Sequence, residues 1–344
     1  MSENRVTRDG LRGERQGRDA TFGNGVFGAG QPGGGHRKRR RRGEELAVPP
    51  ADFTSYYGRP VIKAPAWAPA DIAGYLFLGG LAGAGSVLAA GAAATGRPAT
   101  ARAMKVSSLG AITLSTAALV HDLGRPGRFH HMLRVVKPTS PMSVGSWLLA
   151  AYGPMAGAAA ASDVTGLLPR AGRAATRGAA LLGPGIAAYT GVLLADTAVP
   201  AWHDAHRTLP FLFAASAAAA ASGMALATGP VAENGPARRA AVLGAAAELA
   251  LTRAVHRRAG LAGETYGHGA AGRLLRAAKA LGWAGAAGAA LLGRHRAPAA
   301  LSGAALLAAS ACTRFGVFRA GIASAHDPKY TIAPQRERLS EGAG

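Results

Sequence analysis

A histidine and an aspartate stand side by side where an apolar stretch of the sequence ends. They are His121 and Asp122, and the chain that follows, LGRPGRFHHMLRVVKPTSPMSVGSWLL, is basic and contains two proline turns. Imidazole titrates near neutral pH and a carboxylate accepts protons, so this pair suits proton transfer. Asp71 and Asp196 occupy comparable positions at the ends of other apolar stretches. What these groups do therefore depends on the elements that carry them.

Apolar stretches of spanning length recur from Asp71 onward, with short polar gaps between them. A membrane-spanning helix needs about 20 mostly apolar residues. A soluble helical bundle would instead show a polar stripe every three or four residues, and residues 211–228 show none. We therefore predict an all-α polytopic membrane protein, a bundle of about eight transmembrane helices. Their predicted bounds are 71–94, 103–121, 143–162, 178–198, 210–229, 238–255, 273–293 and 297–318.

The composition agrees with a membrane protein. Of 344 residues, 49% are hydrophobic and 17% are charged, whereas soluble domains carry about a quarter charged residues. Lys and Arg number 39 against 18 Asp and Glu, a formal charge of +21. The single cysteine, Cys312, cannot form a disulfide within the chain or hold an iron–sulfur cluster alone. All ten histidines lie in predicted loops, tails or helix ends, so we expect no haem and no metal ligated by this chain.

Three regions follow from this pattern: a disordered basic tail over 1–55, the transmembrane domain over 56–325 and a C-terminal tail over 326–344. The run HRKRRRR at 36–42 has no interleaved aromatic residues. We interpret it as a segment that lies near anionic lipid, and we expect no nucleic acid as a partner. The first 45 residues contain no apolar segment typical of a cleavable signal peptide.

The basic residues in the polar gaps predict the orientation in the plasma membrane. Loops on the cytoplasmic side of a membrane carry an excess of Lys and Arg. The gap after the second predicted helix contains Arg125, Arg128, Arg134 and Lys137, and the gap after the sixth is similarly basic. With eight alternating helices, both gaps and both termini share one side. We therefore expect both termini in the cytoplasm.

With this orientation, polar groups of three helices reach one level of the cytoplasmic face. Asp71 and Tyr75 open the first helix, His121 and Asp122 end the second, and Asp196 ends the fourth. Alternatively, each of these groups is an interfacial cap that complements a helix dipole. This alternative does not fit Asp196, because the dipole disfavours a carboxylate at a helix C-terminus. Ionisable groups in a membrane domain usually face a cavity or a partner. We therefore predict a pocket and assign His121, Asp122 and Asp196 as catalytic residues.

An apolar pocket with histidine, aspartate and arginine at its mouth suits a quinone headgroup. Quinone carbonyl oxygens accept hydrogen bonds, and quinone reduction needs protons that histidine and aspartate can relay. The segment KPTSPMSVGSW can supply further donors, with Ser143 as the predicted N-cap of the third helix. Deeper in the domain, Glu248 and Lys279 are placed at similar depth and can form an ion pair. That pair would have either a structural role or a role in proton movement.

Three segments resemble a known family: YLFLGGLAGAGSVLAAG, HDLGRPGRFHHMLRVVKPTSPMSVGSWLL, and RFGVF with the later ASAHDPKYTIAPQRERL. They are similar to the NrfD family, the polysulfide-reductase-type integral membrane subunits, over about residues 56–340. The resemblance implies eight helices, four of which form a bundle that holds a quinone, and no haem or metal cofactor in the subunit. It also implies exchange of electrons between menaquinol or menaquinone and a docked, ferredoxin-like iron–sulfur subunit. That partner would serve a molybdopterin oxidoreductase such as a formate dehydrogenase, so the chain would be a non-autonomous part of a respiratory complex.

The resemblance places five residues at the quinone and docking face: His121, Asp122, Arg125, Ser140 and Ser143. The arginine and the two serines, together with Tyr75, are the predicted quinone-binding residues. Tyr75 and Asp196 are assigned from their helix positions alone. The long basic N-terminal tail is not explained by the family pattern.

Two other functions fit the same composition. An ion-coupled transporter would use Asp196, Glu248 and Lys279 as an ion path, and a non-catalytic anchor would only hold a soluble enzyme at the membrane. Transporters often contain internal repeats with broken helices. No convincing repeat is visible in this sequence, although Pro154 and Pro184 interrupt the third and fourth predicted helices. The quinone-linked subunit is therefore the predicted function.

Overall fold

A computed structural model describes residues 5–7, 10–12, 61–123 and 125–342, with side chains described for 61–123 and 125–338. The chain divides into two units, Met1–Asp52 and Phe53–Gly344. In the first unit, the described residues form a short antiparallel hairpin of β1, Arg5–Thr7, and β2, Gly10–Arg12. The rest of the predicted basic tail lies outside the described residues. The second unit is built of helices.

Eight long helices form the second unit, and each predicted segment overlaps one of them. They are α1 Pro69–Ala94, α2 Pro98–Asp122, α3 Pro141–Thr165, α4 Pro169–Ala195, α5 Leu209–Thr228, α6 Gly235–Arg258, α7 Gly269–Leu292 and α8 Arg296–His326. A further helix, α9, covers Lys329–Gly342. Proline stands at the first or second position of α1 to α6. Its fixed φ and missing N–H are tolerated there, so these prolines define where the helices begin.

Two groups of four helices share one packing arrangement. In α1–α4, the first helix packs against the second and the fourth, and the third packs against the fourth. The helices α5–α8 repeat this arrangement, and the two groups meet mainly through α1, α4, α5 and α8. The second unit therefore contains a repeat of helix packing that the sequence analysis did not find.

Each group contains one crossing at which two glycines face each other. A Cβ on Gly83 of α1 would meet the carbonyl oxygen of Gly183 of α4, and the reverse holds for Gly183. Gly223 of α5 and Gly303 of α8 make the equivalent crossing in the second group. Small residues allow such close approach, which strengthens packing between membrane helices.

The outer surface and the length of the helices agree with a bilayer environment. Five helices, α1, α2, α4, α5 and α8, are long and apolar enough to cross a membrane. Large apolar side chains are exposed on outer faces, including Leu181 at 81%, Leu243 at 71% and Leu301 at 71%. The protein is thus an all-α polytopic membrane protein, as predicted. For α3, α6 and α7, which are less apolar, membrane crossing stays a prediction.

One end of the helical unit carries the longer connections, and we call it the loop-rich end. Consecutive helices alternate in direction, so α1, α3, α5 and α7 begin there and α2, α4, α6 and α8 end there. Its short helical segments are Pro126–Leu133, Pro200–His203, Gly260–Gly263 and Glu264–Gly267. Trp202, in the second of them, is fully buried, stacks on Trp67 and donates its indole N–H to the Val317 carbonyl at 2.8 Å. This packing fixes the connection between α4 and α5 to α8.

Candidate functional site

An Asp–His pair lies at the surface of the loop-rich end. Nδ1 of His121 is 3.0 Å from Oδ2 of Asp71, which joins the last turn of α2 to the first turn of α1. The imidazole side chain is 78% exposed and the carboxylate side chain 25% exposed. The pair therefore holds two helix ends together at a place where water reaches the imidazole.

Asp122 has a different partner from its neighbour. Its Oδ1 accepts a hydrogen bond from the backbone N–H of Ala68 at 3.0 Å, at the N-cap position of α1. In a capping box, the side chain at the third helical position accepts from the N-cap N–H; here Asp122 of α2 supplies that acceptor. The contact gives Asp122 a role in holding the fold, and its assignment as a catalytic residue stays a prediction.

An apolar cavity of about 560 Å³ lies next to this pair, within α1–α4. The helices α2 and α3 supply most of its wall, and the segment Pro126–Leu133 borders it at the loop-rich end. Its apolar lining includes Ile112, Leu119, Val120, Phe129, Met132 and Leu149. Small-molecule sites typically measure roughly 300–1,000 Å³ and combine apolar walls with a few polar groups. The cavity has the size and character expected for a flat ring with an apolar tail.

Two tyrosines supply polar groups to this cavity. The side chains of Tyr75 in α1 and Tyr189 in α4 both line it. Tyr75 follows Asp71 by one turn, about 6 Å further along the same face of α1. Gly145 of α3 makes room for the Tyr189 ring, because a Cβ at that position would overlap the ring. Polar side chains therefore lead from the Asp71–His121 pair at the surface to Tyr75 in the cavity.

The sequence analysis singled out Tyr75 but not Tyr189. Of the predicted site residues, Tyr75 lines the cavity and the others do not. Tyr189 had one available signal, since it is an aromatic hydroxyl within the apolar segment that ends at Asp196. Only the packing of α1 against α4 reveals that it lines the same cavity as Tyr75.

Asp196 and Arg125 stay apart from this arrangement. Asp196 is exposed at the C-cap of α4, and Arg125 is exposed at the N-cap of the segment Pro126–Leu133. Within the described part of the chain, neither side chain makes a hydrogen bond or an ion pair. The structure places Asp196 at the same end as His121 but does not join them, so the roles of Asp196 and Arg125 stay predictions.

Ser140 and Ser143 shape the turn that precedes α3. Ser140 is the N-cap, and its Oγ accepts a hydrogen bond from the Ser143 N–H at 3.5 Å. The prediction of Ser143 as N-cap is therefore wrong, because Pro141 occupies the first helical position and moves the cap before it. The Ser143 Oγ donates to the Val135 carbonyl at 2.9 Å and accepts from the Lys137 N–H at 3.0 Å. Both hydroxyls are engaged within the turn, and their contact with a quinone stays a prediction.

A second polar group lies inside the helices, away from the first cavity. Glu248 of α6 is 8% exposed and accepts a hydrogen bond from the Thr313 Oγ1 at 2.6 Å. The fully buried Arg314 of α8 donates to backbone carbonyls of α1 and α5 and so ties the two helix groups together. Lys279 is exposed, and the described residues contain no Glu248–Lys279 ion pair. The expectation of that pair is wrong, since Thr313 satisfies the carboxylate instead.

Electrostatic contacts at the loop-rich end are local. Glu264 and Lys329 pair at 2.8 Å, which lowers the pKa of the carboxyl and raises the pKa of the ammonium. Burial raises the pKa of Asp204, although His203 partly offsets this effect. Among the described residues, no group of three His, Cys, Asp or Glu side chains is placed to hold a metal ion.

Comparison with known proteins bears on what this arrangement does. The family model "Polysulphide reductase, NrfD" matches residues 66–259, more than half of the chain. The matched region contains every residue of the first cavity. No curated protein matches the chain. Members of this family are membrane subunits of quinone-linked oxidoreductases and are typically paired with iron–sulfur and molybdopterin subunits. The match, together with an apolar cavity inside a membrane helix bundle, shows that the chain belongs to the NrfD family.

Proposed function

We propose that this chain exchanges electrons between menaquinol or menaquinone and a docked iron–sulfur subunit of a multi-subunit oxidoreductase. The observation that carries the proposal is the cavity of α1–α4, with Tyr75 and Tyr189 in its lining and the Asp71–His121 pair at the surface beside it. Members of the family are subunits of quinone-linked oxidoreductases, so family membership supports the quinone-linked part of the proposal. The cavity offers a specific place for the quinone.

The residues present fit a naphthoquinone with an apolar tail. The cavity of about 560 Å³ has apolar walls that would take the ring and the first units of the tail. A tyrosine hydroxyl can donate to a quinone carbonyl oxygen and can accept from a quinol hydroxyl. Tyrosine hydroxyls in a mostly apolar wall would therefore fix the orientation of the headgroup in either redox state.

The chain's own residues would carry the protons. Reduction of the quinone consumes two electrons and two protons, and oxidation of the quinol releases them. His121 would exchange protons with water, Asp71 would exchange them with His121, and Tyr75 would connect Asp71 to the cavity. Asp71 and Tyr75 are about 6 Å apart along the helix axis, a spacing that water can bridge. This route does not require Asp122 or Asp196.

The iron–sulfur subunit would dock at the loop-rich end. The loop between α2 and α3 exposes four cations: Arg125, Arg128, Arg134 and Lys137. An acidic face on a ferredoxin-like partner would be attracted to this loop. Phe129 and Met132 of the same loop line the cavity, so docking there would bring a cluster close to the quinone.

The wider assembly follows from the same arrangement. We propose that the iron–sulfur partner serves a molybdopterin oxidoreductase such as a formate dehydrogenase. We further propose that the loop-rich end and both termini face the cytoplasm across the plasma membrane, because the basic loops lie at that end.

Tyrosine variants of the purified complex test the proposal. Tyr75→Phe and Tyr189→Phe each remove one hydroxyl and keep the ring. Because a neutral hydrogen bond contributes about 1 kcal/mol, we expect each variant to lower kcat/KM for a menaquinol analogue by roughly five- to tenfold. The readout is the rate of electron transfer between the quinol and the iron–sulfur subunit.

Tyr152→Phe is the matched control. Tyr152 is a buried tyrosine of α3 whose hydroxyl bonds to Ser86 and to the Ala82 carbonyl, outside the cavity. We expect this variant to lower thermal stability and to leave the quinol kinetics unchanged. Wild-type kinetics in the Tyr75→Phe/Tyr189→Phe double variant would contradict the proposal.

A further inference from the structure

A second apolar cavity, of about 570 Å³, lies in the helices α5–α8. The helices α6 and α7 and the connection between them line it, just as α2, α3 and their connection line the first cavity. In the repeated packing arrangement these two positions are equivalent. The two cavities differ in their charged groups.

Four exposed cations border the second cavity: Arg253, Arg257, Arg276 and Lys279. Arg276 donates to the Gly267 carbonyl at 3.2 Å. In the part of the chain that the structure describes, the other three side chains have no hydrogen bond or ion pair. The carboxylate of the lining, Glu248, is buried and satisfied by Thr313. The cavity therefore presents positive charge that an anionic ligand can neutralise.

Arg253, Arg257 and Arg276 lie towards the headgroup level at the loop-rich end, whereas Lys279 lies deeper, about 15 Å from the start of α7. With 24 residues each, α6 and α7 are about 36 Å long, whereas the hydrocarbon core of a bilayer is about 30 Å thick. Arg253 lies about 8 Å from the end of α6, and Arg276 lies about 10 Å from the start of α7. Long basic side chains reach the interface from such positions by extending along the helix. Leu249, about 14 Å from the end of α6, and Trp283, about 21 Å from the start of α7, line the cavity deeper than the three arginines.

We propose that this cavity binds an anionic phospholipid, with its phosphate among Arg253, Arg276 and Lys279 and an acyl chain along Leu249 and Trp283. Basic pockets between membrane helices attract anionic headgroups, and an apolar cavity beneath them accepts the chain. A neutral quinone would gain little from several cations. The His256 imidazole also lines the cavity, and its buried Nε2 has no hydrogen-bond partner among the described residues.

Trp283 gives a direct readout, because it lines the cavity and is 58% exposed. The purified complex is placed in phosphatidylcholine nanodiscs that contain increasing fractions of phosphatidylglycerol with dibrominated acyl chains, which quench nearby tryptophan. The difference between wild type and Trp283→Phe isolates the signal of this residue. We expect half-maximal quenching at a mole fraction of brominated phosphatidylglycerol that is about tenfold lower than the mole fraction of brominated phosphatidylcholine needed for the same quenching.

Two charge variants complete the experiment. Arg253→Gln/Lys279→Gln should abolish the preference for phosphatidylglycerol. Arg170→Gln/Arg173→Gln removes two exposed cations at the start of α4, at the opposite end of the helices, and should keep the preference.

Three results would overturn the proposal. Equal quenching by the two brominated lipids in wild type would do so, and this comparison does not depend on the folding of the charge variants. An unchanged preference in Arg253→Gln/Lys279→Gln would do so as well. The third result is that brominated lipid quenches Trp283 only after quinone has been extracted. The second cavity would then be a quinone site. Quinol turnover is not the readout, so the outcome is separate from the proposed function.

Discussion

Asp71, His121 and Asp122 lie at the facing ends of α1 and α2, and their contacts differ. His121 pairs with Asp71, whereas Asp122 binds the backbone N–H of Ala68. The sequence analysis treated His121 and Asp122 as one pair because they are adjacent. Adjacent residues on a helix do not face each other, so each meets a different partner. The partner of the histidine comes from another helix end, which the predicted orientation had placed on the same face.

The side chain of Glu233, in the connection between α5 and α6, contacts the first turn of α2. Its carboxylate accepts hydrogen bonds from the backbone N–H groups of Thr100 at 2.7 Å and Ala99 at 3.4 Å, in the first turn of α2. These hydrogen bonds, that of Thr100 foremost, lower the pKa of Glu233. Glu233 therefore acts as an N-cap that is supplied from the loop between α5 and α6.

Substitution of Glu233 should reveal a pH-dependent contribution to stability. We expect Glu233→Ala to lower the free energy of unfolding by about 1 kcal/mol at pH 7, as N-cap losses do. The folded-state pKa is depressed, so the contribution is present above the ordinary pKa of 4.5 and is lost as pH falls through the folded value. Thermal unfolding of wild type and Glu233→Ala, compared at pH 7 and in the acid range, measures it. A gap between the two proteins that widens on acidification would contradict this account.

The helices were the most predictable elements, and their ends were the least. α4 begins at Pro169 rather than at the predicted 178, because Arg170, Arg173 and Arg177 are hydrophilic but still helical. α8 continues to His326, beyond the predicted end at 318. A window of apolar residues reports the part of a helix that lies in lipid, whereas the hydrogen-bonded helix extends past it.

The glycine crossings should decide how tightly the helices pack. A Cβ at position 83 would meet the Gly183 carbonyl, so we expect Gly83→Ala to lower the free energy of unfolding by about 1–3 kcal/mol. Gly91→Ala on the same helix is the control, because a Cβ there has no atom within 4 Å. The control should be neutral or gain up to about 1 kcal/mol from helix propensity. Thermal unfolding of the purified variants measures both, and equal effects would rule out a packing role for the crossing.

The whole molecule repeats one four-helix arrangement with different chemistry in each copy. The repeat was not predicted because it consists of the pattern of contacts between helices, which the sequence does not display. The first cavity has two tyrosines, and the second has exposed cations and a buried glutamate. The sequence could therefore predict the membrane class, the family and a pocket near the helix ends, but not the walls of the two cavities, which depend on contacts between distant helices.

The orientation of the whole molecule can be measured by cysteine labelling. In a Cys312→Ser background, His130→Cys places a thiol in the exposed loop between α2 and α3. We expect it to be shielded from an impermeant reagent outside intact cells and to react after permeabilisation. Leu168→Cys, at a position 77% exposed at the opposite end, should label in intact cells. The reverse pattern would place the loop-rich end outside.

Photolabelling with an azido-naphthoquinone that carries an isoprenoid tail tests the central claim most directly. Peptide mass spectrometry of the irradiated complex would locate the quinone without relying on turnover. The account predicts adducts on residues that line the first cavity, such as Phe129, Met132 and Met142, and their loss when menaquinone competes. Adducts confined to α6 and α7, or adducts in the first cavity that menaquinone does not displace, would contradict it.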